Sequence, residues 1–433
     1  MTAFTLDVYQ NEYLPEGSRE VNAIVTVSAT GGPAAGEAAG PAGSAAEVII
    51  VDCSGSMHVP PTKLAAAKAA TVAAIDALRD GVAFAVVAGT DTAKLVYPTK
   101  AELVPASART RAAAKEAVSH LRASGGTAMG QWLQLADALF VGQPAATRHA
   151  ILLTDGQNMH ETPRQLTRTI KAVTGHFVCD CRGVGTDWEV GELREIATAL
   201  LGTVDIVAEP SGLAADFRAM TTVAMGKSVG DVSLRLWTPQ GARVKFVKQV
   251  EPTLTDLTGR RVESPPRSGD YPTGSWGNES RDYHVCIEVN PAGVGDKMLA
   301  GRVSMVVPST NEVVGKGQIL AIWTDDTVLS TKISPEVAHY TGQAELAAAI
   351  QEGLEARKAG QVERATARLG RAVALATESG HGDTAKLLAK VVDIEDAATG
   401  TVRLKRAVEA VDEMTLDTRS TVTKRVGRKP AED

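Results

Sequence analysis

Residues 48–56 read Val-Ile-Ile-Val-Asp-Cys-Ser-Gly-Ser, an unbroken apolar run that ends in a short polar loop. Such a run is typical of a strand that is buried on both faces of a parallel sheet. An alanine-rich helical segment follows at about 62–80 and ends at Gly81. Short β runs then alternate with helical segments, and a second buried run occurs at 150–154. The pattern predicts an α/β domain over residues 47–225, with an open, doubly wound and mostly parallel sheet.

The segments on either side of this domain alternate between apolar and polar residues, as strands with one buried face do. They are residues 1–29 and residues 228–330, and Gly and Pro punctuate the second of them. We expect the two segments to pair into one β-sandwich, with the α/β domain inserted between them. Residues 30–46 are almost entirely Gly, Ala, Pro and Ser, and they are predicted to form a flexible loop.

Helical periodicity returns at Pro335. Apolar residues first recur at helical spacing in two adjoining stretches, and further helices are predicted near 383–395 and 402–424. Residues 335–425 are therefore predicted to form a small helical bundle, and residues 426–433 a disordered tail. The first helical pair weakly resembles a tetratricopeptide-type hairpin, which leaves a peptide-binding groove open as an alternative.

Composition and charge exclude several classes of function. The 433 residues carry 45 Lys and Arg against 51 Asp and Glu, a net charge of −6 that gives no basic footprint for nucleic acid. Only 4% of the residues are aromatic, so stacking platforms for single-stranded nucleic acid are not expected. No apolar run approaches the roughly 18 residues of a membrane span, and the first residues lack the pattern of a signal peptide. Four cysteines are too few for a disulfide scaffold. Together with the absence of a membrane span and of a signal peptide, this predicts a cytoplasmic protein without a membrane anchor.

Polar residues follow the predicted strands or precede a helix at three places. Asp52, Ser54 and Ser56 follow the first buried strand, Thr127 precedes a helix, and Asp155 follows the next buried strand. In an open α/β sheet this edge is where ligands bind. Two carboxylates and three hydroxyls are hard oxygen donors that suit Mg²⁺, with Mn²⁺ or Ca²⁺ as alternatives. The sequence therefore predicts a divalent-metal site with an open position for a ligand from elsewhere.

These five residues also carry a family resemblance. They match, in order and in element context, the Asp-x-Ser-x-Ser, Thr and Asp pattern of the metal-ion-dependent adhesion site, so residues 47–225 resemble a von Willebrand factor type A domain. The stretch 183–187 resembles a late strand and loop of that family. The resemblance implies that the hydroxyls of Ser54, Ser56 and Thr127 bind the ion directly, that the aspartates often act through water, and that a partner protein's carboxylate completes the coordination. The flanking β and helical segments resemble those of bacterial intracellular members.

The cysteines offer one alternative metal site. Cys179 and Cys181, with His176 nearby, invite a soft-metal interpretation. Strand periodicity, however, places His176 on the opposite face, and no second pair completes a tetrahedral site. We therefore expect Cys179 and Cys181 to be buried core residues, Cys53 to be a small residue in a turn, and Cys286 to be a free thiol in a sheet.

The residue set favours a non-enzymatic, Mg²⁺-dependent protein-interaction module or scaffold. Neither Ser54 nor Ser56 lies beside a base or in a Gly-x-Ser-x-Gly elbow, so acyl transfer is not expected. Three alternatives stay open: an accessory subunit of a chelatase or chaperone-like ATPase complex, a hydrolase that uses the same ion, and a structural protein whose metal site stabilises the α/β domain. None of these motifs identifies the partner protein.

Overall fold

The computed structural model of the protein describes residues 2–31, 45–145, 147–308 and 310–426. The described residues form two compact units. The first takes its residues from 1–2, 31–231 and 274–278, and the second from 3–30, 232–273 and 279–433. Most of the predicted loop at 30–46 and nearly all of the predicted tail at 426–433 lie outside the described residues.

The elements are numbered in chain order. The strands are β1 (Ala3–Gln10), β2 (Tyr13–Pro15), β3 (Glu20–Thr30), β4 (Ala45–Asp52), β5 (Ala83–Gly89), β6 (Ala93–Tyr97), β7 (Val104–Pro105), β8 (Thr147–Thr154), β9 (Val178–Val184), β10 (Val204–Val207), β11 (Val229–Trp237), β12 (Arg243–Glu251), β13 (Thr255–Asp256), β14 (Val262–Ser264), β15 (Ser268–Trp276), β16 (Glu279–Glu288), β17 (Lys297–Val307), β18 (Glu312–Thr324), β19 (Val392–Asp396) and β20 (Thr401–Leu404). The α-helices are α1 (Thr62–Ala77), α2 (Ala108–Ser119), α3 (Met129–Phe140), α4 (Pro163–Val173), α5 (Val190–Ala199), α6 (Leu213–Met225), α7 (Thr327–Ser330), α8 (Pro335–Lys358), α9 (Val362–Glu378), α10 (Gly382–Val391) and α11 (Ala410–Arg419). Within the described ranges, no helix combines the length and the apolar character that a membrane crossing requires.

The first unit contains a seven-stranded sheet in the order β10-β9-β8-β4-β5-β6, with β7 paired to β5. The strands from β10 to β5 along this order run parallel, and β6 and β7 pair with β5 in the antiparallel sense. All eight residues of β4 are buried, because this strand lies in the middle of the sheet. The predicted α/β fold with a mostly parallel sheet is confirmed.

The strand order determines where a ligand can bind this sheet. From β4 the chain moves outward through β5 and β6, and it then returns to β8 on the other side of β4 before it continues to β9 and β10. The carboxyl ends of β4 and β8 are neighbours at this reversal, where Val51 pairs with Leu153. A reversal of this kind opens a crevice at the carboxyl end of the sheet, and ligands of open α/β folds bind there.

Helix α1 covers the centre of the sheet through an alanine face. Ala67, Ala70 and Ala74 are fully buried in one hydrophobic cluster with Phe217 and Met220 of α6. Because alanine side chains are small, α1 can approach both its neighbours and the sheet closely. The position of α1 matters for the site, since the loop from β4 leads directly into this helix.

The second unit contains two large sheets, besides the small β19–β20 sheet. One has the order β1-β3-β16-β12-β13, and the other has the order β14-β15-β11-β17-β18-β2. Strand β3 pairs with β16 in the antiparallel sense, with Val25 opposite Tyr283, and β2 pairs with β18 in the parallel sense. Strands that precede the α/β segment in the chain therefore share sheets with strands that follow it.

Glycine allows these two sheets to come close together. A Cβ atom on Gly317 of β18 would lie 2.6 Å from Leu6 Cδ2 and 2.7 Å from Val8 Cγ2, both on β1. Real Cβ contacts are not that short, so a larger residue at position 317 would require these neighbours to move. The close contact shows that β18 of one sheet lies against β1 of the other.

The helical prediction for residues 335–425 is partly wrong. Helices α8 to α11 are present, but the helix predicted at 383–395 ends at Val391, and the one predicted at 402–424 is replaced by β20 and the shorter α11. Strands β19 and β20 form an antiparallel hairpin here. From Val392 onward the sequence alternates apolar with acidic residues, which is a strand pattern. Gly400 has a positive φ of 71° in the turn, and its Cβ would overlap the backbone of α9, so the hairpin backbone lies directly on that helix.

Candidate metal centre

Backbone hydrogen bonds bring two of the predicted site loops together. The amide of Ser124 donates to the carbonyl of Cys53 at 2.7 Å, and the amide of Gly55 donates to the carbonyl of Gly125 at 2.9 Å. The loop before α3 is thereby fixed to the loop after β4, and the loop after β8 adjoins both because β8 pairs with β4. The structure thus places the five predicted site residues at one edge of the sheet, although whether they bind a metal stays a prediction.

Asp52 is one of two buried carboxylates of the site. Its Oδ1 accepts a hydrogen bond from the Ser54 amide at 2.7 Å, and its Oδ2 accepts one from the Thr154 hydroxyl at 2.6 Å. Burial raises the pKa of Asp52 to about 6, even though these hydrogen bonds act in the opposite direction. A buried carboxylate that is costly to ionise is stabilised by a cation beside it.

The hydroxyls of Ser54 and Ser56 have the spacing of neighbouring metal ligands. Their Oγ atoms are hydrogen-bonded to each other at 2.9 Å, and Ser56 Oγ donates to Asp155 Oδ1 at 2.7 Å. In an octahedron with Mg²⁺–oxygen bonds of about 2.1 Å, adjacent ligands lie about 3.0 Å apart, close to this distance. The two hydroxyls can therefore occupy one edge of such an octahedron.

Gly156 leaves a space between two of the hydroxyls. A Cβ atom at this position would lie 3.3 Å from Ser56 Oγ and 3.3 Å from Thr127 Oγ1. Ser54 and Thr127 are buried, whereas Ser56 is exposed, so the site opens to solvent on the Ser56 side. The donor chemistry and this space fit a hard divalent cation.

The soft-metal alternative does not fit the structure. Cys179 and Cys181 are both fully buried, and His176 lies before β9 with its Nδ1 2.8 Å from Asp137 Oδ1. Across the described part of the chain, no group of three or more His, Cys, Asp and Glu residues is placed to hold a metal. All four cysteines are free and buried, as the sequence predicts for Cys179, Cys181 and Cys286.

A lysine at the site was missed by the sequence analysis. The ammonium of Lys63, in the first turn of α1, donates to Asp155 Oδ2 at 2.8 Å and to Asp187 Oδ2 at 3.1 Å. Burial alone would lower the pKa of Lys63, but these carboxylates raise it, so the side chain is charged at neutral pH. The position of Lys63 in the sequence could have indicated this contact. A cation is unfavourable in the first turn of a helix, so a lysine there suggests that an anion lies nearby.

His160 is a second residue that the sequence analysis missed. Its Nδ1 accepts a hydrogen bond from the Thr127 amide at 3.2 Å, and its own amide donates to the Thr127 carbonyl at 2.9 Å. A Cβ atom on Gly126 would overlap the imidazole ring, so glycine at that position lets His160 cover the loop. No motif spacing indicates this contact, because it joins two loops that are distant in the sequence.

Comparisons with known proteins place the chain in a family. The model for the von Willebrand factor type A domain matches residues 46–206, and the model for the von Willebrand factor type A C-terminal domain matches residues 374–420. The second match includes the β19–β20 hairpin.

Two solved structures share the fold along nearly the whole chain. A von Willebrand factor type A protein from Catenulispora acidiphila is 55% identical with a TM-score of 0.92, over 98% of this chain and 97% of that chain. The ArnB paralog VWA2 from Sulfolobus acidocaldarius is 14% identical with a TM-score of 0.56, over 97% of this chain and 98% of that chain, a likeness of fold alone.

A curated relative matches over a shorter stretch. The uncharacterized protein sll0103 of Synechocystis is 31% identical over 215 residues, which are 48% of this chain and 49% of that protein. The chain thus spans about half the length of that relative. Given the match to the type A domain and the near-complete likeness to the Catenulispora protein, the chain belongs to the von Willebrand factor type A family.

Proposed function

We propose that this protein is a non-enzymatic interaction module that binds Mg²⁺, or Mn²⁺ or Ca²⁺ in its place, and through the ion a carboxylate of a partner protein. Domains of this family serve generally as protein-interaction modules and commonly bind a divalent metal ion. In this chain Ser54, Ser56 and Thr127 would supply oxygen ligands, while Asp52 and Asp155 would supply the balancing negative charge.

The observation that carries the proposal is the arrangement of the hydroxyls above two buried carboxylates. Asp52 and Asp155 are fully buried, and Ser56 Oγ connects Asp155 to the exposed side of the site at 2.7 Å. Three hydroxyl ligands fill half of an octahedral coordination sphere, and Mg²⁺ usually completes its sphere with water or an outside oxygen. A carboxylate from another protein is a hard oxygen ligand that can take such a position.

The proposal extends to the source and the compartment. The organisms of the two sequence relatives, Catenulispora acidiphila and Synechocystis, support a bacterial origin. The four free, buried cysteines support a reducing compartment such as the cytoplasm, where thiols persist.

Calorimetric titration with Mg²⁺ and Mn²⁺ tests the metal site. We expect the unsubstituted protein to bind one ion and Ser56→Ala to bind it at least about tenfold more weakly, because the loss of even an outer-shell partner of a metal ligand typically costs that much affinity. Ser119→Ala is the matched control, because the hydroxyl of Ser119 is exposed and donates only to its own helix. Absence of binding, or equal binding by all three proteins, would contradict the proposal.

A pull-down from lysate tests the interaction and the non-enzymatic character. We expect a partner that is retained with Mg²⁺, is released by a chelator, and is absent with Ser56→Ala. Phosphatase or peptidase activity that is lost on Asp155→Ala would instead support a metal-assisted hydrolase and would contradict the non-enzymatic assignment.

A further inference from the structure

A lysine lies within the candidate metal centre. Lys63 Nζ is 2.8 Å from Asp155 Oδ2 and 3.1 Å from Asp187 Oδ2. The side chain of Asp155 is fully buried and that of Lys63 is 9% exposed, whereas that of Asp187 is 68% exposed. Because solvent screens an exposed carboxylate, the contact between Lys63 and Asp155 dominates the local charge.

The hydrogen bonds of Asp155 limit how it can act on an ion. Its Oδ2 accepts from Lys63, and its Oδ1 accepts from the Ser56 hydroxyl. Because both of its oxygens already accept hydrogen bonds, Asp155 would act on an ion by its negative charge and by orienting the Ser56 hydroxyl. The charge that an incoming ion meets is then set by Asp52, Asp155 and Lys63 together.

We propose that Lys63 makes the binding of a divalent ion and the binding of a carboxylate cooperative, an inference that rests on the proposed function. The two buried carboxylates and the ammonium carry one net negative charge. A divalent ion leaves the site with one net positive charge, and a partner carboxylate then neutralises it. Without Lys63 the ion alone would neutralise the site, and a carboxylate would add an unbalanced negative charge.

Two consequences follow for affinity. Lys63 weakens the binding of the ion alone, and it strengthens the binding of a carboxylate to the ion-loaded site. By thermodynamic linkage, the carboxylate tightens ion binding by the same factor by which the ion tightens carboxylate binding. The protein would thus hold the ion firmly only when a partner is engaged.

Mn²⁺ titrations in acetate and in chloride, at equal ionic strength, measure this coupling with acetate as the carboxylate probe. For the unsubstituted protein we expect Mn²⁺ to bind more tightly in acetate. Lys63→Gln is expected to bind Mn²⁺ in chloride at least about tenfold more tightly and to lose most of the acetate effect. The repulsion between a divalent ion and a nearby ammonium, which this variant removes, is of that order even at the dielectric constant of water.

Two further variants and one control sharpen the test. Lys63→Arg keeps the charge and is expected to retain the acetate effect. Asp187→Asn removes the exposed, solvent-screened partner of Lys63 but keeps the ammonium beside Asp155, so this variant is expected to retain the acetate effect. Lys115→Gln removes a lysine from an exposed pair with Asp76 and is expected to change neither quantity.

The outcomes separate this inference from the proposed function. If the unsubstituted protein binds no Mn²⁺, the proposed function fails and the coupling fails with it. If it binds Mn²⁺ but Lys63→Gln has the same affinity and the same acetate effect, the coupling alone is overturned. If Lys63→Gln does not fold, Lys63→Met decides, and an unchanged Mn²⁺ affinity in chloride together with an unchanged acetate effect in that variant overturns the inference.

Discussion

Replacing His149 by glutamine is expected to lower the free energy of unfolding of the first unit by about 3–5 kcal/mol, the usual cost of removing one partner from a buried ion pair. His149 Nδ1 lies 2.9 Å from both carboxylate oxygens of Glu47, and its Nε2 lies 3.0 Å from Asp180 Oδ2. One imidazole ring thereby joins β4, β8 and β9. Burial would lower the pKa of His149, but the two carboxylates raise it to about 10, so the ring is charged at neutral pH.

Thermal unfolding at neutral pH, followed by circular dichroism, measures this loss. For a unit of this size, 3–5 kcal/mol corresponds to a decrease of roughly 6–20 °C in Tm. His176→Gln is the matched control, because His176 makes a similar 2.8 Å contact with Asp137 but its side chain is 51% exposed. We expect the control to change the free energy of unfolding by no more than about 0.5 kcal/mol.

The contacts of His149 with Glu47 and Asp180 also make the stability of the protein depend on pH in a defined direction. The folded-state pKa of His149 is raised from 6.5 to about 10, so between these values the folded state holds a proton that the unfolded chain releases. The contribution of His149 is therefore complete below pH 6.5 and is lost as the pH rises towards about 10. Two results would refute a charged His149. One is a decrease of less than about 1 kcal/mol in the free energy of unfolding of His149→Gln, and the other is the same pH dependence of that free energy in the variant and the unsubstituted protein over this window.

Further predictions concern the metal site and the sandwich. Gly156→Ala should weaken Mn²⁺ binding, since its methyl group would lie 3.3 Å from two of the hydroxyls, and unchanged affinity in a calorimetric titration would contradict this. Mn²⁺ affinity should fall as the pH drops through about 6, because Asp52 gains a proton there. Calorimetric titrations at several pH values measure this, and a constant affinity would contradict it. Gly317→Val should lower the free energy of unfolding of the second unit by about 1–3 kcal/mol because its Cβ would press on Leu6, as urea unfolding can measure. Gly342→Ala, in a helix and with open space around it, should instead raise that free energy by up to about 1 kcal/mol.

The parts of this fold that follow from short-range pattern could be predicted from the sequence. The apolar run of β4 indicated a central strand, and the structure buries all its residues. The start of α4 is set by local residues alone: Pro163 takes the first helical position, and the Thr162 hydroxyl accepts a hydrogen bond from the amide of Gln165. The order of Asp52 and Asp155 after their strands was sufficient to predict that they lie at one edge of the sheet.

Contacts between distant loops could not be predicted in this way. Lys63 meets Asp155, and His160 meets Thr127, through side chains whose directions depend on how the loops close. The β19–β20 hairpin was missed for another reason: its strands are short and follow a helix, so the helical period obscured an alternation that begins only at Val392. In each case long-range packing determined a structure that local pattern left open.

The two backbone hydrogen bonds between the site loops have a consequence for how this surface can diversify. Both connections are made by backbone atoms: the amide of Ser124 with the carbonyl of Cys53, and the amide of Gly55 with the carbonyl of Gly125. The relative placement of the loops therefore does not depend on the Ser124 side chain. That side chain is exposed beside the candidate metal centre and can be exchanged without removing a connection that positions Thr127. Selection, or a designer, can thus vary the surface that meets a partner while the donor atoms stay in place.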